Sequence, residues 1–181
     1  TEKLIEMGLT IAPEKTEILL LASRRATTEV QLRIGDDMIE SCKCIKYLGV
    51  YVDKGMKMTS HMKQISSGCH EIINSLMRIM PRMGGPSSCK RRLIAATVVS
   101  TMLYAAPIWI DALKYRVYRE MLNRVLRRVS ILLTCSYRTT STEAVLVMAK
   151  IPPAELLTRE RVRIHGLASD DKIGRARVRE E

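Results

Sequence analysis

The residue best placed to do chemistry early in the chain is Lys15, which lies in the segment APEKTE at residues 12–17. A proline precedes it, and the wholly apolar run ILLLA follows the segment. Glu14 and Glu17 flank the lysine, and nearby carboxylates favour the charged form of an amine. Lys15 is therefore either a solvated turn residue or a cation placed to act on an anion. The sequence leaves both interpretations open.

A second candidate set consists of arginines in the segment at residues 111–135, which is predicted to be helical. At 100° per residue, the apolar side chains from Val117 to Leu133 form one face, predicted to be buried, and the arginines centre on the opposite side, where Glu120 is the single acid. A like-charged stripe repels itself unless an anion neutralises it, so phosphate binding is favoured over a solvated helix face. The arginines of this stripe are Arg116, Arg119, Arg124, Arg127 and Arg128.

The net charge of +11 is unevenly distributed along the chain. Residues 1–54 have a net charge of −1 and residues 55–181 a net charge of +12, with 16 arginines among the 22 basic residues of the second segment. The planar guanidinium binds phosphate in a two-pronged geometry that lysine lacks. This asymmetry favours a polyanionic partner, most simply nucleic acid, over a merely soluble basic surface.

The cysteines indicate a reduced, intracellular protein, because the five thiols are odd in number, form no CxxC pair and follow no signal peptide. Cys42, Cys44 and the Cys69–His70 pair could be imagined as zinc ligands, but their spacing matches no standard site, so buried free thiols are predicted. The first residue is Thr1 and not Met, which suggests an interior piece of a longer protein.

Two adjacent acids, Asp36 and Asp37, stand in the segment IGDDMI between two predicted strands. The segment is similar to the Gly-Asp-Asp hairpin that holds Mg²⁺ in nucleic-acid polymerases. A two-metal site needs a further aspartate from a neighbouring strand, and no aspartate precedes Gly35. A two-acid β-turn is therefore predicted, and no metal ligand is assigned.

The elements that must position these residues predict an α+β fold. Short strands end the first 54 residues, and the alternation in IKYLGVYVD predicts one strand with Leu48, Val50 and Val52 on the same face. Helices follow, the first with an apolar stripe from Met62 to Ile79. Residues 93–110 are uncharged and close to the length of about 20 that spans a bilayer, yet a buried core helix is the preferred interpretation.

Four segments, taken together and in this order, resemble the reverse transcriptase of non-LTR retrotransposons, in particular the Pol polyproteins of type-1 elements that insert into ribosomal RNA genes. The similarity runs from about residue 9 to residue 161. The segments are GLTIAPEKTEILLLASRR, IKYLGVYVD, MPRMGGPSSCKRRLIAATVVSTMLYAAPIWIDAL and YRTTSTEAVLVMAKIPPAELLTRER.

The resemblance implies that residues 1–54 are the end of the polymerase palm, a short helix with antiparallel strands, and that residues 55–181 are the helical thumb and nucleic-acid-binding region. Lys15 would lie near the incoming triphosphate as a candidate proton donor to the leaving pyrophosphate. A primer-grip hairpin would contain Tyr47, Leu48 and Gly49. Arg91 and Arg92 would join the arginine stripe as phosphate contacts.

The resemblance also implies partners and activities for the full-length protein. It would be an RNA-directed DNA polymerase using Mg²⁺ and dNTPs on an RNA template, a DNA primer and target DNA, with an endonuclease elsewhere in the chain and a nuclear location at the site of integration. The catalytic aspartates of the family would precede Thr1, so this part alone is predicted to be inactive and to bind no metal. The alternatives are a non-catalytic helical nucleic-acid-binding module and a structural helical protein whose 93–110 helix meets a partner or a membrane; no membrane is the preferred interpretation.

Overall fold

A computed structural model describes residues 6–8, 12–21, 30–34, 37–81 and 85–177. It confirms the α+β class, with strands before residue 54 and helices after it. The chain divides into two compact units, Thr1–His61 and Met62–Glu181. The assignment of residues 1–54 to a palm and 55–181 to a thumb stays a prediction.

The first unit contains a small three-stranded sheet with the order β1-β3-β2. Strand β1 (Ile18–Leu19) pairs in parallel with β3 (Asp37–Cys42), and β2 (Gln31–Ile34) pairs with β3 antiparallel. Because Ile34 is opposite Asp37, the predicted hairpin is confirmed. Gly35 and Asp36, at its turn, lie outside the described residues.

A second hairpin replaces the single strand that was predicted for IKYLGVYVD. Strand β4 (Cys44–Tyr47) pairs antiparallel with β5 (Val50–Asp53), and Leu48 and Gly49 form the two-residue turn between them. Both turn residues have positive φ, 47° for Leu48 and 82° for Gly49, as a type I′ turn requires. The single strand inferred from alternation was wrong because the alternation of apolar residues continues across the turn and conceals it, whereas the hairpin that the resemblance implies is present.

The second unit is helical and has its core between α4 and the helices around it. Helix α4 packs against α2 and α5 and also contacts α6. The helices are α1 (Thr59–Ile79), α2 (Ser88–Met102), α3 (Ala106–Trp109), α4 (Arg116–Thr134), α5 (Thr142–Ala149) and α6 (Ala154–Arg177), with a 3-10 turn at Ile110–Lys114. Side chains that are almost fully buried include Met62, Ile73, Val98, Met102, Trp109, Leu122, Leu126, Val129 and Val145.

The predicted apolar stripes are correct in the middle of α1 and α4 and wrong at their ends. Ile79 and Val117 are exposed, although both were predicted to be buried. In α1 the buried face continues instead through Cys69 and Ile73 to Met80, as the 3.6-residue period requires. Val117 lies in the first turn of α4, where that face is not yet covered.

The uncharged segment at residues 93–110 is not one helix. Helix α2 ends at Met102, Ala105 adopts a left-handed conformation, and Pro107 opens the short α3. Proline has no amide hydrogen to continue the helical hydrogen bonds, so the chain restarts there. Among the described residues no single helix has the length and hydropathy to cross a membrane; the segments Ser88–Met102 and Ala106–Lys114 pass only as a pair, bent by 49°.

Candidate nucleic-acid interface

Three arginines and four apolar side chains line a cavity of ≈ 340 Å³ in the second unit, which we call the arginine pocket. The end of α1 and the second half of α4 form its walls, and the loop after α4 closes one side. Two of the three arginines belong to the predicted stripe. The lining residues are Ile73, Met77, Arg127, Arg128, Ile131, Leu132 and Arg138.

Arg127 is held by the loop that follows α4. Its Nη2 donates to the carbonyl oxygens of Arg138 at 2.6 Å and Thr140 at 2.9 Å. Hydrogen bonds from a charged donor are stronger than neutral ones, so these two contacts fix the guanidinium and the loop together. The Nε and Nη1 groups make no hydrogen bond to any described residue and remain as donors for an anion.

Arg128 is held from the opposite side of the pocket. Its Nη2 donates to Asn74 Oδ1 at 2.8 Å and lies 3.9 Å from the sulfur of Met77, both on α1. Arg128 therefore connects α4 to α1, and its other guanidinium nitrogens are likewise unbonded within the described part of the chain. The two neighbouring arginines are thus oriented in advance.

Arg138, which completes the pocket, was missed by the sequence analysis. It lies in the turn Tyr137–Thr140, which the Thr140 amide closes by donating to the carbonyl of Tyr137 at 3.2 Å. Its side chain is exposed and makes no hydrogen bond or ion pair with the described residues. The available signal was a basic residue beside an aromatic one in a polar loop, but only the fold brings it to Arg127 and Arg128.

The remainder of the stripe is partly neutralised from within the protein. Arg116 pairs with Glu120 at 2.6 Å, and Arg119 approaches Glu155 of α6 at 3.4 Å. The hydrogen bond and charge of Arg116, with smaller effects from Arg124 and Arg119, hold the pKa of the Glu120 carboxyl below its ordinary value. The five arginines therefore face a second acid besides Glu120, because the tertiary fold brings Glu155 to Arg119. Arg124 stays exposed and makes no hydrogen bond or ion pair to a described residue.

Arg91 does not fit its predicted role. Its side chain is buried, with 5% of the residue exposed. The guanidinium donates to the carbonyl oxygens of Pro86 at 2.9 Å, Leu132 at 3.3 Å and Pro81. A phosphate contact needs an accessible guanidinium, so Arg91 holds the protein together instead. Arg92, its neighbour, is exposed and remains a candidate contact.

The candidate residues of the first unit lie at two separate places. Lys15 ends a 3-10 turn, Pro13–Lys15, and is exposed; it makes no ion pair with Glu14 or Glu17, all three of which the structure describes. Tyr47, Leu48 and Gly49 form the exposed end of the β4–β5 hairpin, with Leu48 75% exposed. This position agrees with the hairpin that the resemblance implies, while the role of each residue stays a prediction.

No metal site is formed by the described residues, because no three His, Cys, Asp or Glu side chains come close enough together. The described residues therefore provide no ligand set for the Mg²⁺ of a polymerase. All five cysteines are free thiols, as predicted. The predicted burial is correct for Cys69 and wrong for Cys42, which is exposed, as is Cys89.

Curated proteins similar to the chain come from retrotransposable elements. The chain is 27% identical over 166 residues to a retrovirus-related Pol polyprotein from type-1 retrotransposable element R1 2 of Nasonia vitripennis, covering 88% of the chain and 40% of that protein. It is 28% identical over 157 residues to a putative 115 kDa protein in type-1 retrotransposable element R1DM of Drosophila melanogaster, covering 85% and 15%. A further Nasonia vitripennis Pol polyprotein, from element R1, is 24% identical over 157 residues, covering 83% and 47%.

The chain thus spans less than half the length of these relatives. No protein-family profile matches it, and no solved structure matches it. Over most of its own length the chain resembles part of the Pol polyproteins of R1-type retrotransposable elements.

Proposed function

We propose that the chain is part of a retrotransposon Pol polyprotein with RNA-directed DNA polymerase activity, and that its helical unit binds the phosphate backbone of the primer–template. The arginine pocket is the observation that carries this proposal. Arg127 and Arg128 are oriented by contacts that use one nitrogen each, and Arg138 is exposed beside them. Free donors of a fixed guanidinium match the oxygens of a phosphate at little entropic cost.

The first unit would act at the reacting end of the primer. The exposed hairpin end at Tyr47, Leu48 and Gly49 would hold the primer terminus, and the exposed amine of Lys15 would donate a proton to the leaving pyrophosphate of a dNTP. A cation beside the departing oxygens stabilises charge that grows in the transition state. Residues 1–54 are in this proposal the end of the palm, and residues 55–181 the thumb.

The remaining chemistry would belong to other parts of the polyprotein. The aspartates that hold Mg²⁺ and the endonuclease that nicks target DNA lie outside this chain in the proposal, which places the complete protein in the nucleus on its RNA template. This chain alone would then bind nucleic acid without polymerising. Only this binding is accessible to experiment with the 181 residues themselves.

A salt series on an RNA–DNA hybrid tests the proposal. Phosphate contacts release counterions, so the logarithm of the association constant should fall linearly with the logarithm of salt concentration. Arg138→Glu should lower the magnitude of that slope by about 1 and the affinity by about tenfold, because one phosphate contact is lost. The matched control is Arg163→Glu, an exposed arginine of α6 outside the pocket, which should change both quantities much less.

Two results would contradict the proposal. Failure of the wild-type chain to bind any hybrid at low salt would remove nucleic-acid binding altogether. Equal losses in Arg138→Glu and Arg163→Glu would show a diffuse basic surface in place of a binding site.

A second candidate is a non-catalytic helical module that binds nucleic acid. The arginine pocket supports this module as well as it supports the polymerase, because binding a phosphate requires no metal. The coding sequence before Thr1 distinguishes the polymerase from the non-catalytic module. An open reading frame with an aspartate pair in an aromatic-rich hairpin indicates the polymerase, whereas a nearby initiator methionine without such acids indicates the module.

A further inference from the structure

The arginine pocket contains more apolar surface than phosphate binding requires. Four of its seven lining residues are apolar: Ile73, Met77, Ile131 and Leu132. Met77 is 44% exposed, so water reaches this wall in the free protein. The backbone of a duplex presents phosphate and sugar, because its bases are stacked inside. A bound duplex would therefore leave the apolar side chains of the pocket exposed to water. An unpaired base has an apolar face that can cover them.

We propose that the arginine pocket binds one unpaired nucleotide at the end of a nucleic-acid strand. Its phosphate lies on Arg127, Arg128 and Arg138, and its base lies against Met77 and Ile131. This inference rests on the proposed function, since it names which part of the nucleic acid this site takes. The cavity of ≈ 340 Å³ suits one nucleotide. It is at the lower end of the range of about 300–1,000 Å³ that small-ligand sites occupy, and a duplex does not fit into it.

The arginine side chains and the apolar side chains of the pocket lie next to each other, as the phosphate and the base of one nucleotide require. The Nη2 of Arg128 is 3.9 Å from Met77 Sδ, so the charged and apolar contacts begin at adjacent points. A thioether is polarisable and makes favourable contacts with aromatic rings, and guanidinium planes stack on bases. Asn74, which accepts from the same Nη2 at 2.8 Å, keeps that guanidinium beside the methionine.

The test compares three RNA–DNA hybrids of equal duplex length by fluorescence anisotropy at one salt concentration. One is blunt, one has a short unpaired overhang, and one has the same overhang without bases. The overhang with bases should bind about fivefold more tightly than the abasic one, within the range that a contact between a thioether and an aromatic ring provides. The abasic overhang controls for the added phosphates, which the arginines would bind without any base.

Met77→Ala and Ile79→Ala form the variant pair. Both residues are at the end of α1 and exposed, by 44% and 59%, so neither substitution should unfold the helix. Met77→Ala should bring the affinity for the overhang with bases down to that for the abasic overhang, so the ratio between these two hybrids falls to about one. Ile79→Ala, whose side chain does not line the pocket, should keep the ratio of the wild type.

Distinct outcomes overturn the inference and the proposed function. Binding of all three hybrids with equal affinity contradicts the proposed contact with an unpaired nucleotide and leaves the proposed duplex binding intact. No binding of any hybrid removes the proposed function, and the inference with it. A third outcome is that a free nucleoside monophosphate raises the Tm of the wild type but not of Met77→Ala, while the overhang with bases binds no more tightly than the abasic one. The ligand of the pocket would then be a soluble nucleotide, and the proposal of a strand end would be wrong.

Discussion

Arg91 and Leu132 are 41 residues apart, and the Nη1 of Arg91 donates to the carbonyl oxygen of Leu132 at 3.3 Å. The bond joins the first turn of α2 to the last turn of α4. The same guanidinium reaches Pro86 and Pro81, in the segment before α2. A Cβ atom on Gly85 would collide with Arg91 Nη2 and with the Pro81 carbonyl, so the chain can approach the guanidinium closely only with glycine there. One buried arginine therefore organises the junction of three segments.

Replacement of Arg91 by Met should destabilise the helical unit strongly. The substitution leaves buried carbonyl oxygens without donors, and hydrogen bonds to a charged group contribute about 1.5–3 kcal/mol each. We expect a loss of about 3 kcal/mol in the free energy of unfolding, measured by urea denaturation. Arg92→Met is the matched control and should cost less than about 0.5 kcal/mol, because Arg92 is exposed. Similar losses in the two variants would refute the structural role of Arg91.

The β4–β5 turn should be stabilised by Leu48→Asn. Leu48 has a φ of 47°, a conformation that costs an L-residue with a branched side chain about 1 kcal/mol and that asparagine adopts more readily. The variant should therefore unfold at a higher urea concentration, with a gain of up to about 1 kcal/mol. Gly49→Ala should have the opposite effect, since Gly49 has a φ of 82°. If Leu48→Asn lowers stability, the turn is not of this type.

Acid should weaken the protein partly through His61. This side chain is buried, with 2% of the residue exposed; its Nδ1 accepts from the Tyr51 amide at 3.4 Å, and its Nε2 has no partner among the described residues. Burial lowers the pKa of His61 from its ordinary value of 6.5. The unfolded chain consequently binds a proton more readily, so the stabilisation is complete above pH 6.5 and is lost as the pH falls below it.

Denaturation at pH 7.5 and pH 5.5, roughly the span over which histidine titrates, measures this effect. His61→Asn keeps an acceptor near the position of Nδ1 but cannot be protonated, so its free energy of unfolding should change less between the two conditions. The same pH dependence in the wild type and the variant would show that other groups are responsible.

Alkylation should distinguish the thiols. Burial raises the pKa of Cys69 to about 11, and its Sγ lies 3.9 Å from the carbonyl oxygen of Val98. At pH 8 the reactive thiolate is then on the order of one in a thousand molecules, and the site is also covered. Iodoacetamide followed by mass spectrometry should label Cys42 and Cys89 first and Cys69 only after unfolding. Early labelling of Cys69 in the folded protein would contradict its burial.

Local patterns in the sequence determined which faces of the long helices are buried. The stripe from Met62 through Cys69 and the face of α4 from Leu122 to Leu133 follow from short-range periodicity, and the structure confirms them. Periodicity gave the wrong result where it continued across a boundary, as it did at Leu48 in the turn and at Val117 in the first turn of α4.

Only the tertiary structure decided which arginines can meet a ligand. Arg91 and Arg92 are neighbours of the same type, yet one is buried against Leu132 and the other is exposed. Arg138 comes from a loop to lie beside Arg127 and Arg128, and Glu155 comes from α6 to neutralise Arg119. Helical spacing fixes the face on which a side chain lies. What covers that face depends on segments tens of residues away, whose approach is set by packing of the core.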